Sequence, residues 1–350
     1  MNHPIGVAVI GAGILGLRHA RVYAEQSAAR LLAVVDSKAA KACEVAEKYN
    51  ARWFTDYHEM ISALGPAGNG ELQAVSVATP DHLHVAPVRD CLLAGLEVFV
   101  EKPLTMSVVE ANELIALARE RSRVLVVNYS QRWLPEHQRV EEFIKNETLG
   151  KIAFIESHRW DAAWVPERMI SWAAKTTPIH FMSSHDIDLI LHWLDDRVDS
   201  VSAVAHYGAL AGQTNIPDVV DGYAALLHFR RGTVASLHSS WILPSTFPAA
   251  ADAYLEIFGA KGAIWLKGND REMRLFADQH TERNVFGGPV TATESNGRIE
   301  GAFTESLKAF LRAVENHDME TPTSAARTLH VVEVQEAILK SAASGQVVKL

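Results

Sequence analysis

The stretch Ile5-Gly6-Val7-Ala8-Val9-Ile10-Gly11-Ala12-Gly13-Ile14-Leu15-Gly16 decides how the first half of the chain is read. Its opening residues form a short apolar, β-branched run, the pattern of a strand buried on both faces. Gly11 to Gly16 then spell G-x-G-x-x-G, and a helical pattern follows from about Leu15 to Gln26. Strand, glycine turn and helix in that order make an anion cradle. Gly11 permits the tight turn, Gly13 lets the backbone approach a pyrophosphate, and Gly16 lets the helix pack closely on the sheet. The anion rests on the free N–H groups of the first helical turn, which includes Ile14 and Leu15. Asp36 ends a second apolar run, Leu31 to Val35, and stands 20 residues beyond Gly16. That is the distance expected for the acid that holds the adenosine ribose hydroxyls. A carboxylate there repels a 2′-phosphate, so NAD(H) is expected in preference to NADP(H). Lys38 and Lys41 lie close enough to soften that preference.

Outward from this motif the chain keeps alternating. Apolar runs at Ala74 to Ala78, Val98 to Val100 and Val124 to Val127 are separated by helical stretches at Val85 to Ala94 and Val108 to Arg121. This rhythm predicts a doubly wound parallel sheet with helices on both faces, a Rossmann fold. From about Lys151 the pattern changes. Ile152 to Trp160 reads as a long strand and Phe181 to Leu194 as a helix. Tyr223 to Phe229 and Val234 to Ser240 flank Arg230-Arg231-Gly232-Thr233, and Tyr254 to Phe258 and Ile264 to Leu266 flank Gly259-Ala260-Lys261-Gly262. Gly-containing loops between such runs are hairpin signals. Two amphipathic helices, about Phe303 to Asn316 and Ser324 to Ala343, follow. The expectation is therefore α/β: an NAD-binding Rossmann domain over residues 1–128, then an α+β domain over 129–350 with a large, mainly antiparallel sheet. One apolar face of that sheet is expected to bind a second copy, giving a homodimer or homotetramer.

Composition narrows the function classes. The chain has 350 residues, 48% hydrophobic and 21% charged, which suits two globular domains. A net charge of −9 argues against a nucleic-acid partner. Cys43 and Cys91 make no CxxC, which excludes a cysteine zinc site and a disulfide framework and suits a reducing, cytoplasmic compartment. The apolar stretch Ile5 to Leu17 is too short to span a bilayer, and no Lys or Arg precedes it. Sixteen histidines include the groups His82 with His84 and His180 with His185 and His192. His82 and His84 lack helical i, i+4 ligand spacing, no HExxH occurs and both groups are explained without a metal, so none is expected.

Ligands of open parallel sheets collect at the carboxyl ends of the strands. Thr79-Pro80-Asp81-His82-Leu83-His84, Glu101-Lys102-Pro103 and Asn128 mark those ends. A partly desolvated lysine at such a crevice suits proton work, or fixes a substrate hydroxyl; the bland reading is an ion pair with Glu101. His185 is the second candidate, because neutral imidazole can take a carbinol proton as hydride leaves. Asp188 and His192 share its helical face, and Asp188 is placed to orient the ring. Trp133, Trp160, Trp164, Trp172 and Trp241 are large aromatics of the kind that pack on sugar rings, and Arg132 is a further pocket candidate.

These pieces resemble the glucose-fructose oxidoreductase / inositol dehydrogenase / MocA (Gfo/Idh/MocA) family. The likeness rests on the Gly11 turn running into Leu17-Arg18-His19-Ala20, on Ala78-Thr79-Pro80 and His82-Leu83-His84, on Gly95, and on Glu101-Lys102-Pro103-Leu104. It continues through Asn128, Arg132, Gly150, His185-Asp186-Ile187-Asp188-Leu189 and Trp193. The resemblance implies an oxidoreductase acting on a secondary alcohol of a sugar, inositol or related polyol. It implies Lys102 between substrate and nicotinamide and His185 as the proton carrier. Thr79, Pro80, His84, Glu101, Lys102 and Asn128 would join the glycine turn and Asp36 around the cofactor; Lys102, Arg132, Trp160, His185 and Asp188 would face substrate. Many family members carry an acid four residues before the histidine, where this chain has Phe181. Asp186, Asp188 or His180 then substitutes, or the chemistry differs. Two other readings keep the scaffold: hydrolysis or dehydration through transient redox without net NADH, and a non-catalytic nucleotide-binding regulator.

Overall fold

A computed structural model describes residues 3–210, 219–268, 270–278, 280–286, 292–295 and 297–350. The chain divides into two compact units, 1–133 with 289–332 and 134–288 with 333–350.

The first unit is built on six parallel strands: β1 (Ile5–Ile10), β2 (Ala29–Val35), β3 (Arg52–Phe54), β4 (Ala74–Val77), β5 (Glu97–Val100) and β6 (Leu125–Val127). Their order is β3-β2-β1-β4-β5-β6, the dinucleotide-binding order with its reversal between β1 and β4. Between them run α1 (Ile14–Glu25), α2 (Ala39–Lys48), α3 (Tyr57–Leu64), α4 (Val85–Leu93) and α5 (Val108–Glu120). Every residue of β1 is buried, which is why its sequence does not alternate.

The second unit begins with α6 (Pro135–Lys145) and continues through β7 (Ile152–Ala162), α7 (Pro178–Phe181) and α8 (Ser184–Leu194). Then come β8 (Val198–His206), β9 (Gly222–Phe229), β10 (Val234–Leu243), β11 (Ala251–Gly259), β12 (Gly262–Lys267), β13 (Glu272–Ala277) and β14 (His280–Val285). The two expected hairpins are present as β9–β10 and β11–β12. The sheet is mainly antiparallel, as expected, with β7 and β10 paired in parallel at its centre. The helix expected over Phe181 to Leu194 is split. Thr177 caps a short turn opening on Pro178, the chain leaves helix at Met182 and Ser183, and α8 starts afresh. Met182 drops into an apolar cluster with Ile170, Ala173, Leu210 and Trp241, so packing overrides the continuous apolar period.

Residues 289–332, carried with the second domain in the sequence reading, pack with the first unit. They supply the small hairpin β15 (Thr293–Ser295) and β16 (Arg298–Glu300), then α9 (Ala302–Asn316). Phe303, Leu307, Phe310, Leu311 and Val314 of α9 join Val7, Val9, Phe99 and Val126 in one core, each contributing about 1.5–3 kcal/mol by burial. The last helix, α10 (Ala325–Ser344), carries the chain back to the second unit, where β17 (Val348–Lys349) pairs with β8. No helix among the described residues is long and apolar enough to cross a membrane.

Candidate active site

At the end of β1 each glycine of the turn has its own geometry. Gly11 has φ +100°, and a Cβ there would lie 2.6 Å from the Ala78 carbonyl oxygen. At Gly16 a Cβ would lie 1.7 Å from the Gly11 oxygen, so α1 presses directly on the turn. Gly13 differs, because a Cβ would meet nothing within 4 Å. Its surroundings are open, it caps α1 without a side-chain bond, and Ile14 beside it is 56% exposed. Leu15, by contrast, packs on the core. An open backbone over uncapped helix amides is what a pyrophosphate requires, so these residues fit a dinucleotide. Asp36 accepts hydrogen bonds from the Ala12 and Lys38 amides, both at 2.9 Å. Each carboxylate oxygen keeps a second lone pair for a ribose hydroxyl.

The turn after β4 is tied to the turn after β5. His84, 1% exposed, places Nδ1 2.7 Å from the Pro103 oxygen and Nε2 3.0 Å from the Thr79 oxygen. Both are acceptors, so a neutral ring can donate to only one of them. Burial pushes the His84 pKa down, against the pull of those carbonyls and of Asp81 and Glu101. The Thr79 hydroxyl is buried without a hydrogen-bond partner, and Pro80 leads into the short turn Asp81–Leu83. Lys102 is half-buried, and its bond to Pro103 is cis.

Behind Lys102 lies a chain of buried polar groups. Glu101 Oε1 accepts from His19 Nε2 and from Asn128 Nδ2, each at 2.8 Å. His19 Nδ1 pairs with the Ser76 hydroxyl, and the Ser306 hydroxyl donates to Asn128 Oδ1 at 2.9 Å. Burial pushes the Glu101 carboxyl up, but His19, then Asn128, then the Lys102 charge pull it further down, below the ordinary glutamate value. Ser76, His19 and Glu101 are bonded in the order of a hydrolytic triad. Ser76 is wholly buried within β4, so no substrate carbonyl reaches it. Arg132 donates to the Pro322 carbonyl at 2.7 Å, within the first unit.

In the second unit His185 sits half-buried in the first turn of α8, with Asp188 buried one turn on. Asp186 is held in a bidentate pair, its two oxygens each 2.8 Å from Nε and Nη2 of Arg159. Burial pushes the Arg159 pKa down, but Asp186 and Asp161 more than restore it. His180 is tied to Thr177, and His192 lies 3.2 Å from Glu141. Phe181 packs beside Trp172 against the Trp241 cluster, so position 181 serves an apolar core here.

Trp160 does not join this group. Strand alternation turns Arg159 and Asp161 towards α8 and turns Glu156, His158 and Trp160 to the opposite face of the sheet. There Trp160 stacks on His158 at 4.7 Å, and both line a cavity of about 340 Å³ with Ser236, His238, Tyr254 and Glu256. Ser76 and Ser306 were not singled out in the sequence. A lone serine inside the apolar run Ala74 to Ala78 was a signal for Ser76; Ser306 gave none, because its partner belongs to a distant segment. Among the described residues no group of three or more His, Cys, Asp or Glu is arranged to hold a metal.

Comparison with known proteins adds the following. UDP-N-acetylglucosamine 3-dehydrogenase of Acidithiobacillus ferrooxidans is 29% identical over 238 residues, 67% of this chain and 66% of that protein. 2,7-Anhydro-N-acetylneuraminate hydratase of Mediterraneibacter gnavus is 26% identical over 268 residues, 74% of this chain and 66% of that protein. The chain thus spans just under two thirds of each of these relatives. A levoglucosan dehydrogenase solved with NADH and L-sorbose shares the fold, with TM-score 0.83, 20% identity and 99% of each chain covered. Residues 5–129 match the oxidoreductase family's NAD-binding Rossmann fold and residues 141–350 its C-terminal alpha/beta domain. The chain therefore belongs to the Gfo/Idh/MocA family of oxidoreductases, with an NAD-binding Rossmann domain at its head.

Proposed function

We propose that this chain oxidises a secondary alcohol of a sugar, inositol or related polyol to the ketone, or catalyses the reverse. Bound NAD supplies the hydride acceptor, and NADH the donor. Lys102 of the first unit holds the reacting oxygen, and its positive charge stabilises negative charge developing there. His185 of the second unit takes the hydroxyl proton as the C–H bond gives up its hydride, and returns it in reduction. Arg132 and Asp188 are the remaining candidates for substrate contact. The observation that carries this reading is the half-buried lysine at the carboxyl edge of β5, in the same unit as the open glycine cradle. Asp36 favours NAD(H) over NADP(H). The free cysteines Cys43 and Cys91 are in keeping with a cytoplasmic setting.

The second reading is transient redox without net NADH, ending in hydration, elimination or hydrolysis. It is favoured by Phe181, an apolar ring at the position where the family resemblance implies an acid, and by the hydratase among the relatives. Self-association is proposed through the outer sheet face, where Phe154, Val204, Leu226, Trp265 and Phe276 are exposed.

A panel of sugars and polyols, assayed for NADH and for NADPH formation, separates the readings. Net NADH with one member supports dehydrogenation; product without NADH supports the second reading. Lys102→Ala should lower kcat by about 10²–10³-fold while NADH still binds. Unchanged turnover would remove Lys102 from the reaction.

A further inference from the structure

On the outer face of the second unit's sheet, Glu156, Glu256, Trp265, Arg274 and Arg283 stand side by side in one row, one from each of β7, β11, β12, β13 and β14. Two like-charged pairs lie in it. Glu156 is directly opposite Glu256, and Arg274 is directly opposite Arg283. Like charges so placed destabilise a sheet. The two arginines share a single acid, Glu272, and each reaches it through Nε, Arg283 at 2.8 Å, so the Nη groups of both are left over. Glu156 and Glu256 form no ion pair among the described residues. Between the two pairs stands Trp265, 36% exposed and edge-on to Phe276 at 4.9 Å.

We propose that this face binds a second copy about a two-fold axis running along β12, so that Glu256 of each copy meets Arg274 of the other and Glu156 meets Arg283. The proposal rests on the self-association read above from the exposed apolar residues of the same face, and adds the register of the contact. A two-fold axis along a strand keeps position along that strand and exchanges the strands on its two sides. With β12 on the axis, β11 lies over β13 of the second copy and β7 over β14. Each acid pair then faces an arginine pair, twice in the dimer. Among axes along the strands, this one matches both pairs. Moved to β11 or β13, the axis sets Glu256 over Glu256 or Arg274 over Arg274. Packed sheets lie about 10 Å apart, a gap that one glutamate and one arginine side chain together bridge. Aligned sheets cross at about 30°, so the pair one strand from the axis, Glu256 with Arg274, is held closest to register. The guanidinium groups enter the cavity of about 340 Å³ that Glu156 and Glu256 line, beside the Tyr254 ring. Trp265 meets its own copy at the centre, where covered aromatics contribute most.

Charge reversal on the two sides of the contact tests the register, read by sedimentation of the full-length protein at micromolar concentration. Glu256→Arg alone sets arginine against arginine in both halves of the dimer, and Arg274→Glu alone sets acid against acid. Each should raise the dimer Kd by at least about tenfold. Mixed in equal amounts, the two variants restore both opposite-charge pairs in one heterodimer. Association should then return to within about threefold of wild type. The restoration exists only between chains, so local damage within either variant cannot imitate it. Added salt should weaken the wild-type dimer.

If wild type associates but the folded variants associate equally well alone, or stay apart when mixed, the register is overturned and self-association through this face still stands. If either variant does not fold, Glu156→Arg mixed with Arg283→Glu puts the same question to the outer pair. A wild type that sediments as a single copy overturns both the register and the self-association beneath it.

Discussion

Two buried acids lie next in sequence to the two proposed reacting side chains, and they are neutralised in different ways. Glu101, before Lys102, is held by an imidazole and a carboxamide at 2.8 Å. Asp186, after His185, is clamped by both arms of a guanidinium at 2.8 Å. Arginine keeps its charge at all working pH, so the Asp186–Arg159 pair is electrically closed and anchors α8 to β7. Neither partner on Glu101 Oε1 is a permanent cation, so this acid depends on hydrogen-bond donors where the other depends on a fixed ion pair. The acid beside a proposed reacting side chain is therefore tied by a fixed charge in one unit and by side-chain hydrogen bonds in the other.

The largest expected effect tests the fixed charge. Arg159→Ala leaves a buried carboxylate uncompensated and should cost about 3–5 kcal/mol, read as a lower urea midpoint. A loss under 1 kcal/mol would break the comparison, because Asp186 would then have another means of neutralisation. Asn128→Ala comes next. It strips one donor from Glu101 and the acceptor from Ser306, and should cost about 1–3 kcal/mol in the same assay. The smallest effect is the acid response. The folded Glu101 carboxyl sits below the ordinary value of 4.5, so its contribution is present above that value and lost as pH falls through the folded one. Wild type should lose stability on acidification below about pH 4.5, and Glu101→Gln should lose less over the same range. Glu136, held low by Arg271 in spite of burial, keeps its own acid response in both proteins.

Legibility followed locality. The glycine turn and the strand–helix rhythm of the first unit could be read because each is written within a few consecutive residues. The β9–β10 and β11–β12 hairpins were legible for the same reason, through their glycine loops. Trp160 was placed with His185 and Asp188 at the substrate, but on β7 it alternates with Arg159, and successive strand residues point to opposite faces. The break at Met182 was hidden because the apolar period runs through it, and only the Trp241 cluster explains why the helix restarts.

Residue order alone was enough for the Rossmann half and the family. Strands buried on both faces, a G-x-G-x-x-G turn and a distal acid are patterns written in consecutive residues. Tertiary structure decided the rest: that α9 returns to the first unit, that Phe181 feeds an apolar cluster, and that Glu101 faces His19, Asn128 and, through them, Ser76 and Ser306. Those contacts join segments 27 to 178 residues apart, and which distant surface a buried polar group meets is set by packing, not by its neighbours along the chain.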